Sequence, residues 1–141
     1  MRQFKFRSWD NKGKVMIDWL TLSQTAFNRN DRSLSLMYAV IINDTRQFET
    51  MEWIGLKDKH KTHVYDGDIL SDCSSPMAEH CCWFEVFWHD GDAASGGVGY
   101  KLRFVTHHAI CGGVTPVVLP KNLSKMKVIG NIYENPELLQ Q

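Results

Sequence analysis

At 141 residues, with 43% hydrophobic and 23% charged residues, the chain has room for one domain, or for a main domain with a small N-terminal subdomain, and folding removes ~68% of its unfolded surface from water. No window approaches the roughly 18 consecutive apolar residues that a membrane span needs, which excludes a transmembrane helix. Sixteen basic residues balance sixteen acidic ones, which argues against tight, sequence-independent binding to a nucleic-acid duplex, because that binding depends on many cations displacing counterions from phosphates.

The N-terminal stretch MRQFKFRSWD alternates apolar and basic residues instead of placing an apolar block after a cationic tip. It lacks the anatomy of a secretory signal, and the chain is expected to stay in the cytoplasm. Phe4, Phe6 and Ser8 share one face of an extended segment and Lys5 and Arg7 the other. Asp10-Asn11-Lys12-Gly13 supplies a turn, and Val15, Ile17 and Trp19 resume the alternation. This predicts a β-hairpin whose cations Arg2, Lys5, Arg7, Lys12 and Lys14 form a solvated face. Residues 21–35 are rich in Ser, Thr and Asn without a period, and read as a loop with one short helical turn. Leu36 to Ile42 is an apolar run of strand length, and Glu49 to Ile54 is its expected partner.

The stretch Trp53 to Leu70, WIGLKDKHKTHVYDGDIL, reads as two turn-forming clusters around a short extended segment. Gly55 and Gly67 are suited to positive φ, Lys57 to Lys61 must stay wet, and Val64 and Ile69 belong on a half-buried pleat. Ile69-Leu70, Cys82 to Trp88, Tyr100 to Val105, Val117 to Leu119 and Lys127 to Tyr133 are further strand candidates. Asp90 to Gly99 is a long hairpin loop, and Pro120 to Met126 makes one helical turn. Asn135 suits an N-cap, Pro136 the first helical position and Glu137 the positive end of the helix dipole, so a terminal turn over Pro136 to Gln140 follows. The fold class is mostly β with minor α: an N-terminal hairpin and variable segment over residues 1–52, and a small barrel or sandwich over residues 53–141.

Three segments together resemble the YopX family of phage- and prophage-encoded proteins. They are F-R-S-W-D at Phe6 to Asp10, with Trp9 at its centre; G-L-K-D-K and V-Y-D-G-D-I at Gly55 to Ile69, with Asp58, Tyr65, Gly67 and Asp68; and V-I-G-N-I-Y-E-N-P-E-L-L at Val128 to Leu139, with Gly130, Asn131, Tyr133 and Pro136. The resemblance spans nearly the whole chain, although residues 20–50 and 71–125 carry no signature. It implies an SH3-like barrel core with added elements and assembly into homo-oligomers, and it transfers no catalytic residue, because the family's biochemical role is undetermined. In the central turn the family favours Asn-Gly where this chain has His60-Lys61, which implies a wider or differently typed turn.

Candidate chemistry is sparse. Cys73, His80, Cys81, Cys82, His89, His107, His108 and Cys111 include the thiolates and imidazoles that zinc takes, but only His108-x2-Cys111 has the close-pair spacing of a zinc site. Four cysteines at irregular spacing do not make a disulfide framework, so reduced thiols are expected, and no metal or other cofactor is. Asp66-Gly67-Asp68 and Asp90-Gly91-Asp92 lack the further oxygens of a calcium loop and read as turns. No nucleophile elbow or phosphate-binding loop is present, and His107-His108 reads as a strand end without chemistry. Trp83, Phe84, Phe87 and Trp88 give one strand two apolar faces, Trp83 with Phe87 and Phe84 with Trp88, so the outer pair is expected to cover added structure or a second subunit. The expected partners are a second copy of the chain and a host protein. The alternatives are a single-strand nucleic-acid binder that joins the N-terminal cations to exposed aromatics, and an enzyme of unassigned class.

Overall fold

The computed structural model of the chain describes residues 3–27, 47–72, 82–91, 97–105 and 123–139. Among them the order is β1 (Phe6–Asp10), β2 (Val15–Ile17), α1 (Trp19–Phe27), β3 (Phe48–Lys57), β4 (His63–Tyr65), β5 (Asp68–Ser71), β6 (Trp83–His89), β7 (Gly99–Phe104), β8 (Lys127–Asn131) and a 3-10 helix, Pro136–Leu139. The chain is mostly β, with strands in two sheets ordered β2-β1-β3-β4 and β7-β6-β5-β8. It divides into two compact units, Met1–Trp53 and Ile54–Gln141.

In the first unit β1 pairs antiparallel with β2 on one side and with β3 on the other, so Trp9 lies opposite both Met16 and Glu49. The turn between β1 and β2 is held by Asp10, whose Oδ1 accepts the Lys12 amide at 2.9 Å and whose carbonyl accepts the Lys14 amide at 2.8 Å. A Cβ on Gly13 would lie 2.8 Å from the Asp10 carboxylate, so glycine is required there for space. Leu22 and Phe48 form a small core, with Phe6 and Ile17 packed against it. Trp9 and Met51 are buried as well, so β1 is covered on both faces. Phe4, expected inside, is exposed because it precedes the paired part of the strand.

Helix α1 occupies ground that the sequence marks as the end of a strand and the start of a loop. Asp18 decides the matter as an N-cap: its Oδ1 accepts the Thr21 amide at 2.8 Å and its carbonyl accepts the Leu22 amide at 3.0 Å. Trp19 then turns toward Phe6, ring centroids 6.2 Å apart, and Leu22 enters the core. The polar run hides this helix because its propensity is low; a cap and two core contacts outweigh it.

In the second unit β5 is buried along its length and flanked by β6 and β8. Val64, Leu70, Phe84, Val86, Leu102, Leu123 and Met126 form the core. The pairing of β5 with β8 slips by one residue between Ile69 and Leu70, leaving Ile129 as a bulge. Gly55 has the positive φ expected of it, 88°, but lies inside β3 and not in a turn. Strand β8 ends at Asn131, short of Tyr133, because the Asn131 Oδ1 accepts the amides of Tyr133 and Glu134 and turns the chain. Asn135 does not cap the closing 3-10 helix with its side chain, whose Oδ1 accepts the Asn131 amide instead. The strand candidates Leu36–Ile42 and Val117–Leu119 lie outside the described residues.

Cys82 is disulfide-bonded, which corrects the expectation of reduced thiols. It lies at the open end of the β5–β6 pair, where its amide donates to the Asp72 Oδ1 at 2.9 Å. The other cysteines, and His80, His107 and His108, lie outside the described residues. A bridge through Cys82 uses two of the four cysteines. Thiol titration of unreduced, denatured protein should therefore find no more than two reactive thiols, against four after reduction. Asp18→Ala should lower stability by about 1 kcal/mol in equilibrium denaturation, the usual cost of an N-cap.

Candidate functional site

The family-like residues of the second unit converge on one another. Tyr65 donates its amide to the Asp68 Oδ2 at 2.8 Å, closing a tight corner over Asp66-Gly67 that carries the chain from β4 into β5. Gly67 has φ 76°, a left-handed conformation that favours glycine, and a Cβ there would sit 3.3 Å from Ile132 and 3.7 Å from Tyr133. Its amide donates to the Val86 carbonyl and its carbonyl accepts the Ile132 amide. Asp68 lies opposite Asn131. A Cβ on Gly130 would collide with the Asn135 side chain and with Leu138, which packs the segment opened by Pro136 against β8. Gly67 thus eases the approach of a segment some 65 residues away, and Gly130 that of the turn which follows it.

Asp58 joins the same assembly from the other side. Its Oδ1 accepts the amides of His60 at 2.8 Å and Thr62 at 2.9 Å, and its Oδ2 accepts the amide of Val128 at 3.0 Å, a residue 70 positions away. Burial works to raise its pKa, but these three amides outweigh burial and hold the carboxyl below the usual aspartate value. The turn it braces has Lys61 N–H on the Asp58 carbonyl, Asp58 N–H on the Thr62 carbonyl, and Lys61 at φ 69°. Lys59 and His60 are therefore the central pair and left-handed Lys61 follows them, a wider turn than a two-residue Asn-Gly turn. In the first unit Phe6, Trp9 and Asp10 serve the hairpin core and turn described above.

The aromatic strand sorts by face. Phe84 is 5% exposed and belongs to the core with Val86, so it is not an interface residue. Its ring lies 4.7 Å from that of Phe104. On the opposite face are Trp83, Glu85, Phe87 and His89, with Lys101 and Arg103 from β7. Phe87 is roofed by the Arg103 guanidinium, 4.3 Å from its ring centroid, and Arg103 Nε lies 3.7 Å from the Glu85 carboxylate. Trp83 is half-buried. Trp88, at the far end of the strand, extends past the core: it is 48% exposed, stacks edge-on with Tyr100 at 5.0 Å, and donates its indole N–H to Asp90. Val98, 64% exposed, stands on the same hairpin.

Sequence reasoning missed Lys101. It alternates with outward residues and reads as a solvated cation, yet it is wholly buried. Among the described residues no buried side-chain nitrogen or oxygen lacks a hydrogen-bond partner, so Lys101 is a satisfied buried cation. No group of three or more His, Cys, Asp or Glu side chains among the described residues is placed to hold a metal.

Two antiparallel sheets and one small α-helix among the described residues define a mostly-β class of small protein. The YopX protein family matches residues 5–140, and the chain belongs to that family. Among solved structures, protein EF1440 from Enterococcus faecalis is similar, with a TM-score of 0.58 and 22% identity, over 99% of each chain. That likeness is one of fold. No curated protein matches the chain.

Asp58→Ala should destabilise the protein by about 3 kcal/mol, since it removes hydrogen bonds to a charged acceptor and leaves amides unpaired. The pH dependence follows from the sign of the shift. The folded pKa lies below the unfolded one, so the contribution is full above the unfolded value and is lost as pH falls through the folded value. Melting curves between about pH 5 and pH 2 should fall less steeply for Asp58→Asn than for the parent chain.

Proposed function

We propose that the chain is a phage- or prophage-derived interaction protein that acts by binding and associates with itself, its second unit an SH3-like small barrel. The observation that carries this is the apolar end of the β6–β7 hairpin, where Trp88, Val98 and Tyr100 stand together. Tryptophan and tyrosine are the residues that anchor protein interfaces, because a rigid ring gives large contact area at small entropic cost. The Arg103 guanidinium covers the Phe87 ring, and Phe84 lies in the core. Among the described residues β7 ends the order of its sheet, so a second copy approaching there would meet both a strand edge and the aromatic end. The same patch on two copies makes a two-fold, self-complementary contact. Short antiparallel strands, a shared core and a helical turn just before β8 support the SH3-like reading.

Residence in the host cytoplasm belongs to this reading. No helix among the described residues is long and apolar enough to cross a membrane. The Cys82 disulfide stands against the cytoplasm, because reducing compartments keep thiols reduced.

Light scattering after gel filtration should give a multiple of the chain mass. Trp88→Glu should weaken association by about 30-fold or more, the scale of losing one interface anchor. Leu20→Glu, at a residue 62% exposed in the first unit, should leave it unchanged. A monomeric parent at high micromolar concentration, or loss of assembly only in Leu20→Glu, rejects the proposal. Tryptophan quenching by oligothymidylate that vanishes in Trp88→Glu, from a parent that stays monomeric, would move the reading to nucleic-acid binding.

A further inference from the structure

The turn braced by Asp58 presents three lysines to one cleft. Leu56, Lys57, Asp58, Lys59, Lys61 and Ser124 line a cavity of about 230 Å³. That is smaller than the ~300–1,000 Å³ clefts that enclose drug-sized ligands, so it takes one compact group and not an extended molecule. Three lysines and one aspartate are among the residues that line it, and the carboxylate is already committed. Both Asp58 oxygens are occupied by the amides of His60, Thr62 and Val128, which leaves the carboxylate no role as the lysines' counterion. Among the described residues neither Lys57 nor Lys61 forms an ion pair.

The lysines also stand on a fixed base. The Lys59 amide donates to the Met126 carbonyl at 2.9 Å, tying the turn to the segment that carries Ser124 and leads into β8. Lys125 and Lys127 flank Met126 and add to the positive field. Lys61 holds φ 69°, a conformation in which glycine is at ease and a long side chain is disfavoured. Glycine would serve the turn better, so what the lysine contributes there is its ammonium group.

We propose that this cleft binds the phosphate of a phosphate ester, with Lys57 and Lys61 as charge partners. Phosphate fits the site's chemistry: it is compact, doubly charged near neutral pH and rich in acceptors, and lysine binds it as a point charge without needing a planar fork. The proposal stands apart from self-association, which concerns the β6–β7 hairpin.

The test is amide NMR of the whole chain titrated with inorganic phosphate at constant ionic strength. The amides of Lys57, Lys59, Lys61 and Ser124 should shift and saturate. Lys61→Gly should fold as well as the parent or better, since glycine relieves the left-handed strain, yet lose affinity for inorganic phosphate by about threefold, the scale of one exposed ion pair. Adding Lys57→Gln should bring the loss to about tenfold. A parallel titration with oligothymidylate distinguishes the sources of phosphate. Affinity far above that of inorganic phosphate, falling linearly on a log–log plot against salt, assigns the ester to a nucleic-acid strand. Affinity no greater per phosphate assigns it to a small phosphate ester. The absence of a saturable shift at these amides with either probe, or unchanged phosphate affinity in the folded Lys61→Gly and Lys57→Gln variants, overturns the proposal.

Discussion

A buried carboxylate whose oxygens are filled by backbone amides organises much of the second unit. Asp58 spends both oxygens on backbone amides, two in its own turn and one on β8, so a single side chain sets the shape of the Lys57–Thr62 turn and its attachment to the last strand. An ionised group can be buried at tolerable cost only when its acceptor sites are filled, and amides fill them more rigidly than a mobile lysine would. Lys57 and Lys61 of the same turn are exposed.

A second constraint is steric. Gly67, at positive φ, packs closely on Ile132 and Tyr133, and Gly130 leaves room for Asn135 and Leu138 in the turn that follows β8. With Asp68 opposite Asn131, the two segments form a knot of short contacts around the fully buried β5. The family-like residues therefore specify the scaffold. Of the surfaces suited to partners, the Trp88–Val98 hairpin end lies beside that scaffold, whereas the lysine cleft is built on its Asp58 turn.

Much of the fold was legible from residue pattern. Alternation at Phe6 and Ser8 located the first hairpin, and the burial of Val64 and Ile69 followed from their β-branched neighbourhood between turn signals. Positive φ at Gly55 and Gly67 was legible too, though the setting of Gly55 was not: a glycine inside a strand and a glycine in a turn look alike until the strand's partner is known. Helix α1 escaped because Asp18 reads equally as a turn residue and as a cap, and only the packing of Trp19 on Phe6 and of Leu22 in the core selects the cap.

For the surfaces the balance shifts. Sequence alone determined the family, the mostly-β class and the presence of one strand with aromatic residues on both faces, because each rests on local order along the chain. Which aromatic face is buried, that Arg103 roofs Phe87 and leaves Trp88 to protrude, that Lys101 is buried, and that Cys82 is bonded were decided by tertiary structure. So was the meeting of Ser124 with a lysine turn more than 60 residues earlier. Exposure and juxtaposition depend on pairing between distant segments, and period-two alternation fixes that two faces exist without saying which one the rest of the chain will cover.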